Sequence, residues 1–374
     1  MKKIVFVTQN LERTGSEMVL WYLLTNLDPK KYKLFVFCMT AGELYRQLPP
    51  RIQKTIPYRA QEKRKYKVLI RILKILGINT MKFQIKRLQR KFQADIWYFN
   101  SIVMPEIFEF ACKLDVKIVT HFHELLHAYT FVRKEELRRI ISYSDTCIAC
   151  SPEVREKIMR MGHRDVRIQH SFIDTALIKT DPERVKDLKA RLGILPSDFV
   201  WVVSGVATYM KGLDRILPIL QAFQDRPVKV VWIGRLLDDG LEYYTTRVAE
   251  NKYPGKLIFT GALAKDYYNH MALANGFLLL SREESFSLTM VEAAYLGLPI
   301  VAVNAGIAAT FVREGMGKIV DGCHPSDITE AMEWVHNLQS PDRHLLQQSS
   351  LPYTVQYQLP LFEMLINEIA DSRV

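Results

Sequence analysis

Short apolar runs alternate with amphipathic stretches along the chain, and this alternation predicts the fold. The runs occupy residues 3–8, 33–39, 95–100, 116–122, 145–150, 199–205, 228–234, 256–261, 276–281 and 299–303. Their length and continuous apolar character are typical of strands buried on both faces. Stretches with helical periodicity, such as residues 17–27, lie between them. Repeated strand–helix units predict an α/β fold in which helices cover both faces of parallel sheets.

A polar stretch near residues 173–196 divides the pattern into two similar halves. The chain has 374 residues, which is more than one hydrophobic core usually serves. We therefore predict two doubly wound Rossmann-like domains, at residues 1–180 and 181–350, followed by an amphipathic helix within residues 351–374. Such sheets bind ligands at the carboxyl ends of their strands, so two facing domains would form a binding cleft.

Composition adds few constraints outside one segment. No apolar run reaches the length of about 18 residues that a membrane-spanning helix needs. The five cysteines lack the spacing of a disulfide framework, which predicts free thiols in a reducing cytoplasm. Cys147 and Cys150 form a C-x-x-C on a predicted strand, where they would point to opposite faces. We favour small buried residues over a metal or redox site there.

The net charge of +11 is concentrated in residues 51–93. This segment holds fourteen Lys or Arg and one acid, Glu62, so it carries +13 and leaves the rest of the chain near −2. Within it, residues 59–92 have helical periodicity. The apolar positions that fall near one face of this helix are Val68, Ile72, Ile75 and Leu76, and the flanking bases are Lys67, Arg71 and Lys74.

Basic amphipathic helices of this kind bind anionic membrane surfaces. The alternative is a solvated helix that covers the sheet of the first domain. We favour membrane contact, because a single acid among fourteen bases is more charge asymmetry than solubility requires. Nucleic-acid binding is not favoured, since no recognisable nucleic-acid-binding module is present.

Two glutamates follow the predicted strand at 276–281. Glu284 falls in the loop at the carboxyl end of that strand, and Glu292 falls inside the helix predicted from Ser287 to Leu296. The first amides of a helix lack intrahelical partners and attract anions. Since carboxylates accept hydrogen bonds from sugar hydroxyls, we expect a ligand that joins phosphate to hydroxyl-rich groups.

A similar arrangement occurs upstream, after the predicted strand at 199–205. Gly205 ends that strand, and Lys211 with Gly212 is predicted to open a helix. Lys211 could neutralise a diphosphate, although the spacing is not that of a Walker loop. The alternative is an ordinary surface charge.

These residues together carry a resemblance to a known family. Glu284 and Glu292 enclose seven residues and precede AAYLGLPIVA, and the segments KG, VVWIGRL, LIFTGAL and TGSE occur in the family's order. The sequence resembles a retaining nucleotide-sugar glycosyltransferase of the GT-B fold, in glycosyltransferase family 4. The resemblance covers nearly the whole chain and is more specific in the second half. It implies two Rossmann-like domains that face a central cleft, with the terminal helix returning to the first domain.

The resemblance also implies roles for individual residues. Glu284 would bind hydroxyls of the donor sugar, Glu292 would bind the ribose, and Lys211 with the first helix amides would hold the pyrophosphate. Arg235 and the backbone of Ala262 and Leu263 would lie near the base. The implied donor-binding residues are Gly15, Ser16, Gly205, Lys211, Arg235, Leu263, Glu284, Ser285, Phe286, Ser287, Leu288, Thr289 and Glu292. The implied catalytic residues are His123, Glu284 and Lys211. Thr14 stands where the family often has the first of two glycines.

The histidines of VTHFHELLHAY allow more than one interpretation. His123 to His127 matches the H-E-x-x-H pattern of zinc sites on helices, but it follows a predicted parallel strand. The resemblance instead places His123 beside the donor sugar. Structural histidines are the third alternative, and we expect no metal.

One position departs from the family pattern. Val206 stands five residues before Lys211, where the family usually has Arg. Phosphate neutralisation would then rest on Lys211 and on backbone amides, unless Arg235 or Arg282 substitutes.

The combined prediction is transfer of a sugar from a UDP- or GDP-linked donor to a hydroxyl acceptor, with retention of configuration. The acceptor would be a glycan or a lipid-linked envelope saccharide, and the protein would be cytoplasmic and peripheral on the inner face of the membrane. The alternatives are a catalytically silent GT-B scaffold at a membrane and a sugar-nucleotide epimerase. A glycosidase is disfavoured, because Glu292 would lie on a helix flank rather than across a sugar from Glu284.

Overall fold

The computed structural model describes residues 1–322, 324–338 and 341–372, and the side chain of Leu126 is not part of the description. Cys323, predicted to be a free thiol, lies outside the described residues. The chain forms two compact units, and the first combines Met1–Phe172 with Val355–Val374 while the second is Ile173–Thr354.

The first unit is built on a seven-stranded parallel sheet. Its strands are β1 (Lys2–Thr8), β2 (Tyr32–Cys38), β3 (Gln53–Thr55), β4 (Ile96–Phe99), β5 (Lys117–Phe122), β6 (Thr146–Ala149) and β7 (Val166–Ile168). Its first eight helices are α1 (Gly15–Asn26), α2 (Glu43–Gln47), α3 (Arg64–Ile75), α4 (Thr80–Phe92), α5 (Pro105–Ala111), α6 (Leu126–Tyr129), α7 (Lys134–Tyr143) and α8 (Pro152–Arg160). The strand order is β3-β2-β1-β4-β5-β6-β7.

The second unit contains a six-stranded parallel sheet. Its strands are β8 (Phe199–Ser204), β9 (Val228–Ile233), β10 (Leu257–Gly261), β11 (Gly276–Leu279), β12 (Ile300–Val303) and β13 (Gly317–Val320). Its helices are α9 (Pro182–Arg191), α10 (Ile216–Ala222), α11 (Gly240–Lys252), α12 (Tyr267–Met271), α13 (Leu288–Tyr295), α14 (Ala308–Phe311), α15 (Pro325–His336) and α16 (Arg343–Ser350). The strand order is β10-β9-β8-β11-β12-β13.

The last helix, α17 (Val355–Asp371), belongs to the first unit. The Phe362 ring lies 5.7 Å from the ring of Tyr98 on β4. The Tyr32 hydroxyl donates to Asn367 at 3.3 Å. These contacts confirm that the C-terminal helix returns to the N-terminal domain, and the two parallel sheets confirm the doubly wound α/β fold.

Each sheet reverses its strand order at one point, between β1 and β4 and between β8 and β11. On either side of such a point the connecting chains leave toward opposite faces, which opens a crevice at the carboxyl ends of the two strands. In the second unit, the loops at this point are those that follow β8 and β11. They carry Lys211 and Glu284, so the topology brings these two predicted residues to one edge of the sheet.

The ten predicted strands are all present, but three short strands were missed. β3 has the sequence QKT and β7 the sequence VRI, and both lie at sheet edges with exposed polar residues. β13, GKIV, forms the opposite edge of the second sheet. Edge strands of three or four residues lack the continuous apolar run on which the prediction rested.

Two helical predictions need correction. Lys211 and Gly212 do not open an α-helix, because Gly212 has φ of 81° and the chain then makes a 3-10 turn, Leu213–Arg215, before α10 begins. The helical stretch predicted at 59–92 is two helices, α3 and α4, because Gly77 with φ of 65° ends the first.

Candidate functional site

Lys211 and Glu284 meet in the second unit. The Lys211 ammonium forms an ion pair with the Glu284 carboxylate, whose side chain is only 12% exposed. The Ser281 hydroxyl donates to the same carboxylate oxygen at 2.7 Å. Two residues that lie more than seventy positions apart in sequence therefore form one charged pair at the carboxyl edge of the sheet.

Gly212 allows this pair to form. A side chain at position 212 would place its Cβ 2.3 Å from the carbonyl oxygen of Leu280, and the backbone there is left-handed. Only glycine fits this close approach. The loop after β8 can therefore lie directly against the end of β11. Gly205 lies under the aliphatic part of the Lys211 side chain, with a Cβ position 3.5 Å from its Cδ.

The N-terminus of α13 is a potential anion site. Its N-cap residue, Ser287, has φ of 80°, and its hydroxyl is buried without a hydrogen-bond partner among the described residues. The amides of Leu288 and Thr289, in the first turn, have no intrahelical acceptors, and the helix dipole favours negative charge there. A buried hydroxyl at such a helix start is costly unless a ligand or a water molecule binds it.

The loop that leads into α13 is held by packing. The Phe286 ring is buried and lies 5.3 Å from the ring of Tyr353. The amide of Ile307 donates to the Phe286 carbonyl at 3.4 Å. Ser285 precedes this anchor and is partly exposed. Phe286 therefore acts in the structure as a packing residue that fixes the position of Ser287.

Glu292 lies in the second turn of α13 and is 8% exposed. Its carboxylate accepts hydrogen bonds from the hydroxyls of Tyr267 (3.0 Å) and Tyr268 (2.9 Å). Burial raises the pKa of Glu292 to about 7, and the two hydrogen bonds oppose that rise. These tyrosines were missed in the sequence. The only signal was their position, six residues after β10, at the edge of the sheet that carries the other site residues.

The two arginines that could substitute at Val206 differ in their surroundings. Both terminal nitrogens of Arg282 donate hydrogen bonds to the Asp214 carboxylate, at 2.8 and 2.6 Å. The Arg282 guanidinium lies 3.6 Å from the centre of the Tyr209 ring. Arg235 is exposed after β9. The Ala207 amide donates to its carbonyl at 2.9 Å. The backbone of Arg235 thus lies beside the loop that contains Val206, whereas Arg282 is already paired.

Ala262 and Leu263 follow β10, on the other side of β9. The carboxyl ends of β8, β9, β10 and β11 all lie at the same edge of the parallel sheet. The structure therefore brings together the predicted residues of the second unit at that edge. We call Lys211, Glu284, Glu292 and the N-terminus of α13 the strand-end site.

In the first unit, Thr14 is the N-cap of α1 and Gly15 its first residue. Ser16 follows, and its carbonyl accepts a hydrogen bond from Asn100 at 3.2 Å. Glu17, which was not predicted, is buried and accepts hydrogen bonds from the Thr8 hydroxyl at 2.8 and 2.6 Å. Burial raises its pKa, while that hydrogen bond and backbone amides of the same loop oppose the rise. Glu17 thus ties the start of α1 to the end of β1.

His123 follows directly after β5. Its ring centre lies 3.8 Å from that of His121, and its Nε2 is buried without a partner among the described residues. Burial lowers the pKa of His123 to about 3, so the imidazole is neutral near pH 7. The neighbouring Glu124 accepts hydrogen bonds from the Ser101 hydroxyl and, at 2.9 Å, from the His123 amide. Burial raises the pKa of Glu124 to about 7.

The zinc interpretation of this motif is not supported. His127 lies in α6, which begins at Leu126, whereas His123 lies just after a strand, so the two do not share one helix. Within the described ranges, no three His, Cys, Asp or Glu side chains are grouped so that they could hold a metal ion.

The basic segment exposes apolar side chains. Exposed fractions are 51% for Val68, 49% for Ile72, 78% for Ile75 and 64% for Leu76, while Leu73 on the other side of α3 is buried. Lys67, Arg71 and Lys74 are exposed beside them. We call these seven exposed residues the α3 face. Among residues 1–322, 324–338 and 341–372, we find no helix with both the length and the apolar character needed to cross a bilayer.

Comparisons with known proteins agree with this architecture. The family model described as Glycosyltransferase Family 4 matches residues 13–177, and the model described as Glycosyl transferases group 1 matches residues 185–350. Together the two models account for most of the chain.

Curated relatives match part of the chain. Over 183 residues, the chain is 29% identical to the alpha-galactosylglucosyldiacylglycerol synthase of Streptococcus pneumoniae. The matched region covers 44% of this chain and 48% of that protein. Over 207 residues, it is 25% identical to the O-antigen chain mannosyltransferase C of Escherichia coli. The matched region covers 54% of this chain and 52% of that protein. The chain thus spans about half the length of the curated relatives it matches.

A solved structure matches over almost the full length. The Anabaena protein HepE, solved in complex with UDP-glucose, superposes with a TM-score of 0.80 at 18% identity and covers 98% of this chain and 100% of that one. At this identity the likeness establishes the shared fold.

Proposed function

The chain belongs to glycosyltransferase family 4 and has the GT-B fold, and from this premise we propose that it transfers a sugar from a nucleoside-diphosphate donor to a hydroxyl acceptor with retention of configuration. The observation that carries the proposal is the strand-end site. It combines a cation, a carboxylate and an anion-attracting helix N-terminus at the point where the strand order of the second sheet reverses. These groups match the sugar and the diphosphate of such a donor.

Donor binding replaces the ion pair between Lys211 and Glu284 with contacts to the donor. Lys211 leaves Glu284 and binds the diphosphate, while the first amides of α13 and the Ser287 hydroxyl bind its other oxygens. Glu284 then accepts hydrogen bonds from the sugar hydroxyls. The bond from the anomeric carbon to the diphosphate breaks as the acceptor oxygen bonds to that carbon, the acceptor's hydroxyl proton passes to the leaving diphosphate, and negative charge develops on that leaving group. Lys211 and the α13 amides stabilise that charge because they are already in place.

The donor is a UDP- or GDP-linked sugar, and Arg235 with the Ala262–Leu263 backbone contacts its base. No metal is needed in this proposal, since Lys211 and the helix N-terminus supply the positive potential. The assignments of Gly15, Ser16 and His123 to the donor rest on the family resemblance. With its pKa near 3, His123 acts as a neutral hydrogen-bonding group and not as a cation.

The acceptor is a glycan or a lipid-linked saccharide. The names of two relatives, a glycosyldiacylglycerol synthase and an O-antigen mannosyltransferase, support this class. So does the α3 face, which combines exposed apolar side chains with exposed bases. We place this face on an anionic leaflet, with the apolar residues in the headgroup region and the bases on lipid phosphates. The protein then acts as a peripheral protein at the cytoplasmic surface.

The test supplies UDP-glucose, GDP-mannose and ADP-glucose in turn, with and without vesicles that carry glycosyldiacylglycerol, and measures free nucleoside diphosphate and the anomeric configuration of any product. Release that requires the acceptor, with a product of unchanged configuration, supports the proposal. Binding without release or conversion supports the silent scaffold, and conversion of the donor sugar without acceptor supports an epimerase. A product of inverted configuration contradicts the proposed mechanism.

A further inference from the structure

Two successive tyrosines hold one buried carboxylate in the second unit. The Tyr267 hydroxyl donates to Oε2 of Glu292 and the Tyr268 hydroxyl donates to Oε1, at nearly equal distances of 3.0 and 2.9 Å. Their rings pack against each other at a centroid distance of 5.0 Å and an angle of 74°. Each oxygen of Glu292 therefore has its own phenol donor, and the two hydrogen bonds restrain the orientation of the carboxylate.

The short helix that carries the tyrosines is fastened at its start. Asp266, its N-cap residue, has φ of 62° and accepts hydrogen bonds from Arg184 at 3.1 and 2.7 Å. Asn269 donates to Asp266 at 3.1 Å and accepts from the Asp181 amide at 2.8 Å. These contacts tie α12 to the start of α9. The position of the tyrosine hydroxyls is thus set by the fold of the second unit and not by the ligand.

The donor and the acceptor of each hydrogen bond in this cluster can be assigned. Ser204, the last residue of β8, lies 2.8 Å from the Tyr267 hydroxyl. A phenol has one proton, and Tyr267 uses it on Glu292. Ser204 must therefore donate to the Tyr267 oxygen. The resulting chain runs from Ser204 through Tyr267 to the carboxylate, and such chains strengthen their members by polarisation.

Glu292 keeps the capacity to bind a second pair of donors. A carboxylate oxygen accepts about two hydrogen bonds, and each oxygen of Glu292 has one from a tyrosine. The remaining capacity is therefore about one bond on each oxygen. Two adjacent hydroxyls on a ring present two donors at a matching spacing. A vicinal diol is therefore the group that best matches the unused hydrogen-bond acceptor capacity of this carboxylate.

We propose that Tyr267 and Tyr268 are positioning residues that orient Glu292 for the 2′- and 3′-hydroxyls of the donor ribose, and so select ribonucleotides over nucleotides that lack those hydroxyls. We call the pair the tyrosine clamp. The inference rests on the proposed function, because it requires a nucleoside diphosphate at the strand-end site. It gives a role in donor binding to two side chains that the sequence pattern did not indicate.

The protonation of Glu292 offers a readout that a purely structural role would not change. Burial raises its pKa to about 7, and the hydrogen bonds from Tyr268 and then Tyr267 oppose the rise. Both tyrosines come from α12, and Ser204 of β8 acts only through Tyr267. β11 and β12 carry no charged side chain, and Arg343 and His344 of α16 do not contribute to the shift. Removing a phenol hydroxyl therefore raises the pKa of Glu292 further.

The test measures the affinities of UDP and GDP, and of their 2′,3′-dideoxy counterparts, by calorimetry. The proteins are the parent, Tyr267→Phe, Tyr268→Phe and the double variant, and Tyr244→Phe, an exposed tyrosine on α11, is the control. We expect the parent to bind the dideoxy nucleotide about 100-fold more weakly, since two hydrogen bonds to a charged group are lost. In the double variant we expect this penalty to shrink below about tenfold.

The outcomes separate the clamp from the proposed function. If the parent binds UDP or GDP and the dideoxy penalty is the same in the double variant, the clamp is wrong and the proposed function stands. The clamp is also overturned if the tyrosine variants lose the same affinity for the ribonucleotide and for its dideoxy counterpart at every pH. That result would indicate that the tyrosines have a structural role alone. A parent that binds neither nucleotide overturns both. Calorimetry in two buffers of different ionisation enthalpy also measures the number of protons released when the nucleotide binds. Near pH 7 this number should be larger for Tyr268→Phe than for the parent.

Discussion

The strand-end site and the α3 face both contain lysine side chains, but those lysines have opposite surroundings. In the strand-end site, Lys211 is paired with Glu284, and Glu292 is buried and held by two tyrosines. On the α3 face, the bases are solvated and the apolar side chains of Ile72 and Ile75 are exposed. One region pairs its charged side chains within the protein, and the other leaves apolar surface in contact with water.

This difference indicates different kinds of partner. A ligand at the strand-end site must replace the ion pair between Lys211 and Glu284 and add donors to Glu292 beside the two tyrosines, so only a molecule with matching groups can bind there. The α3 face has no such set of fixed partners within the part of the chain that the structure describes, and it suits an extended surface that offers negative charge and an apolar layer. The predictions below separate the two regions, from the largest expected effect to the smallest.

Removing the cation of the strand-end site should have the largest effect on transfer. For Lys211→Ala we expect kcat/KM to fall by roughly 100- to 1,000-fold, as for loss of one preorganised charge-stabilising group. Lys186→Ala, an exposed lysine on α9, should leave kcat/KM unchanged. Steady-state release of nucleoside diphosphate measures both. Equal rates for the two variants would show that Lys211 is an ordinary surface charge.

Reversing the charge of the α3 face should abolish membrane binding without affecting donor binding. For the variant with Lys67, Arg71 and Lys74 changed to Glu, we expect at least about a 100-fold weaker partition onto anionic vesicles, since each base contributes about 1 kcal/mol. Flotation with phosphatidylglycerol vesicles measures the partition. Reversal of Lys179, Lys186 and Lys252, which are exposed on the second unit, is the matched control. If the α3 variant floats like the parent, the face is only a solvated cover.

A side chain at Gly212 should disturb the contact between the two loops that carry the strand-end site. Gly212→Ala places a methyl group 2.3 Å from the Leu280 carbonyl at a left-handed backbone position, and such strain costs about 1–3 kcal/mol. We expect a melting temperature roughly 5 °C lower. Gly240→Ala, where the added methyl meets open space, should change it little. An unchanged melting temperature for Gly212→Ala would mean that the loops can separate freely.

The pH dependence of donor binding should report Glu292. Its raised pKa of about 7 means that the carboxyl is protonated below that pH, and a protonated carboxyl can no longer accept two ribose hydroxyls. Affinity for UDP-glucose or GDP-mannose should therefore fall up to about tenfold per pH unit below 7 and level off above it. Glu292→Gln should bind weakly with no such dependence. A flat profile in the parent would contradict the ribose assignment.

Ser204→Ala should have the smallest effect, because Ser204 reaches Glu292 only through Tyr267. We expect donor affinity to fall by about threefold, less than for either tyrosine variant, in line with the loss of one neutral hydrogen bond. A loss as large as that of Tyr268→Phe would mean that Ser204 contacts the donor directly. Calorimetry with UDP and GDP provides the comparison.

The sequence predicted the placement of those candidate residues whose signals are local. Glu284, Ser287 and Glu292 lie in one strand–loop–helix unit, and Lys211 follows a strand end, so spacing alone placed them near one sheet edge. The tyrosine clamp could not be predicted, since it forms where α12 packs beside α13, and no pattern within either segment encodes that contact. The break between α3 and α4 was missed because the basic periodicity continues across Gly77.

The most direct measurement is a double-mutant cycle of donor binding on Lys211 and Glu284. The parent, Lys211→Ala, Glu284→Gln and the double variant are titrated with UDP-glucose and GDP-mannose. Because the two side chains are paired with each other before the donor replaces that contact, we predict that the parent binds one donor, that each single variant loses affinity, and that the two losses do not add. If the parent binds neither donor, or if all four proteins bind equally, the strand-end site is not a donor site.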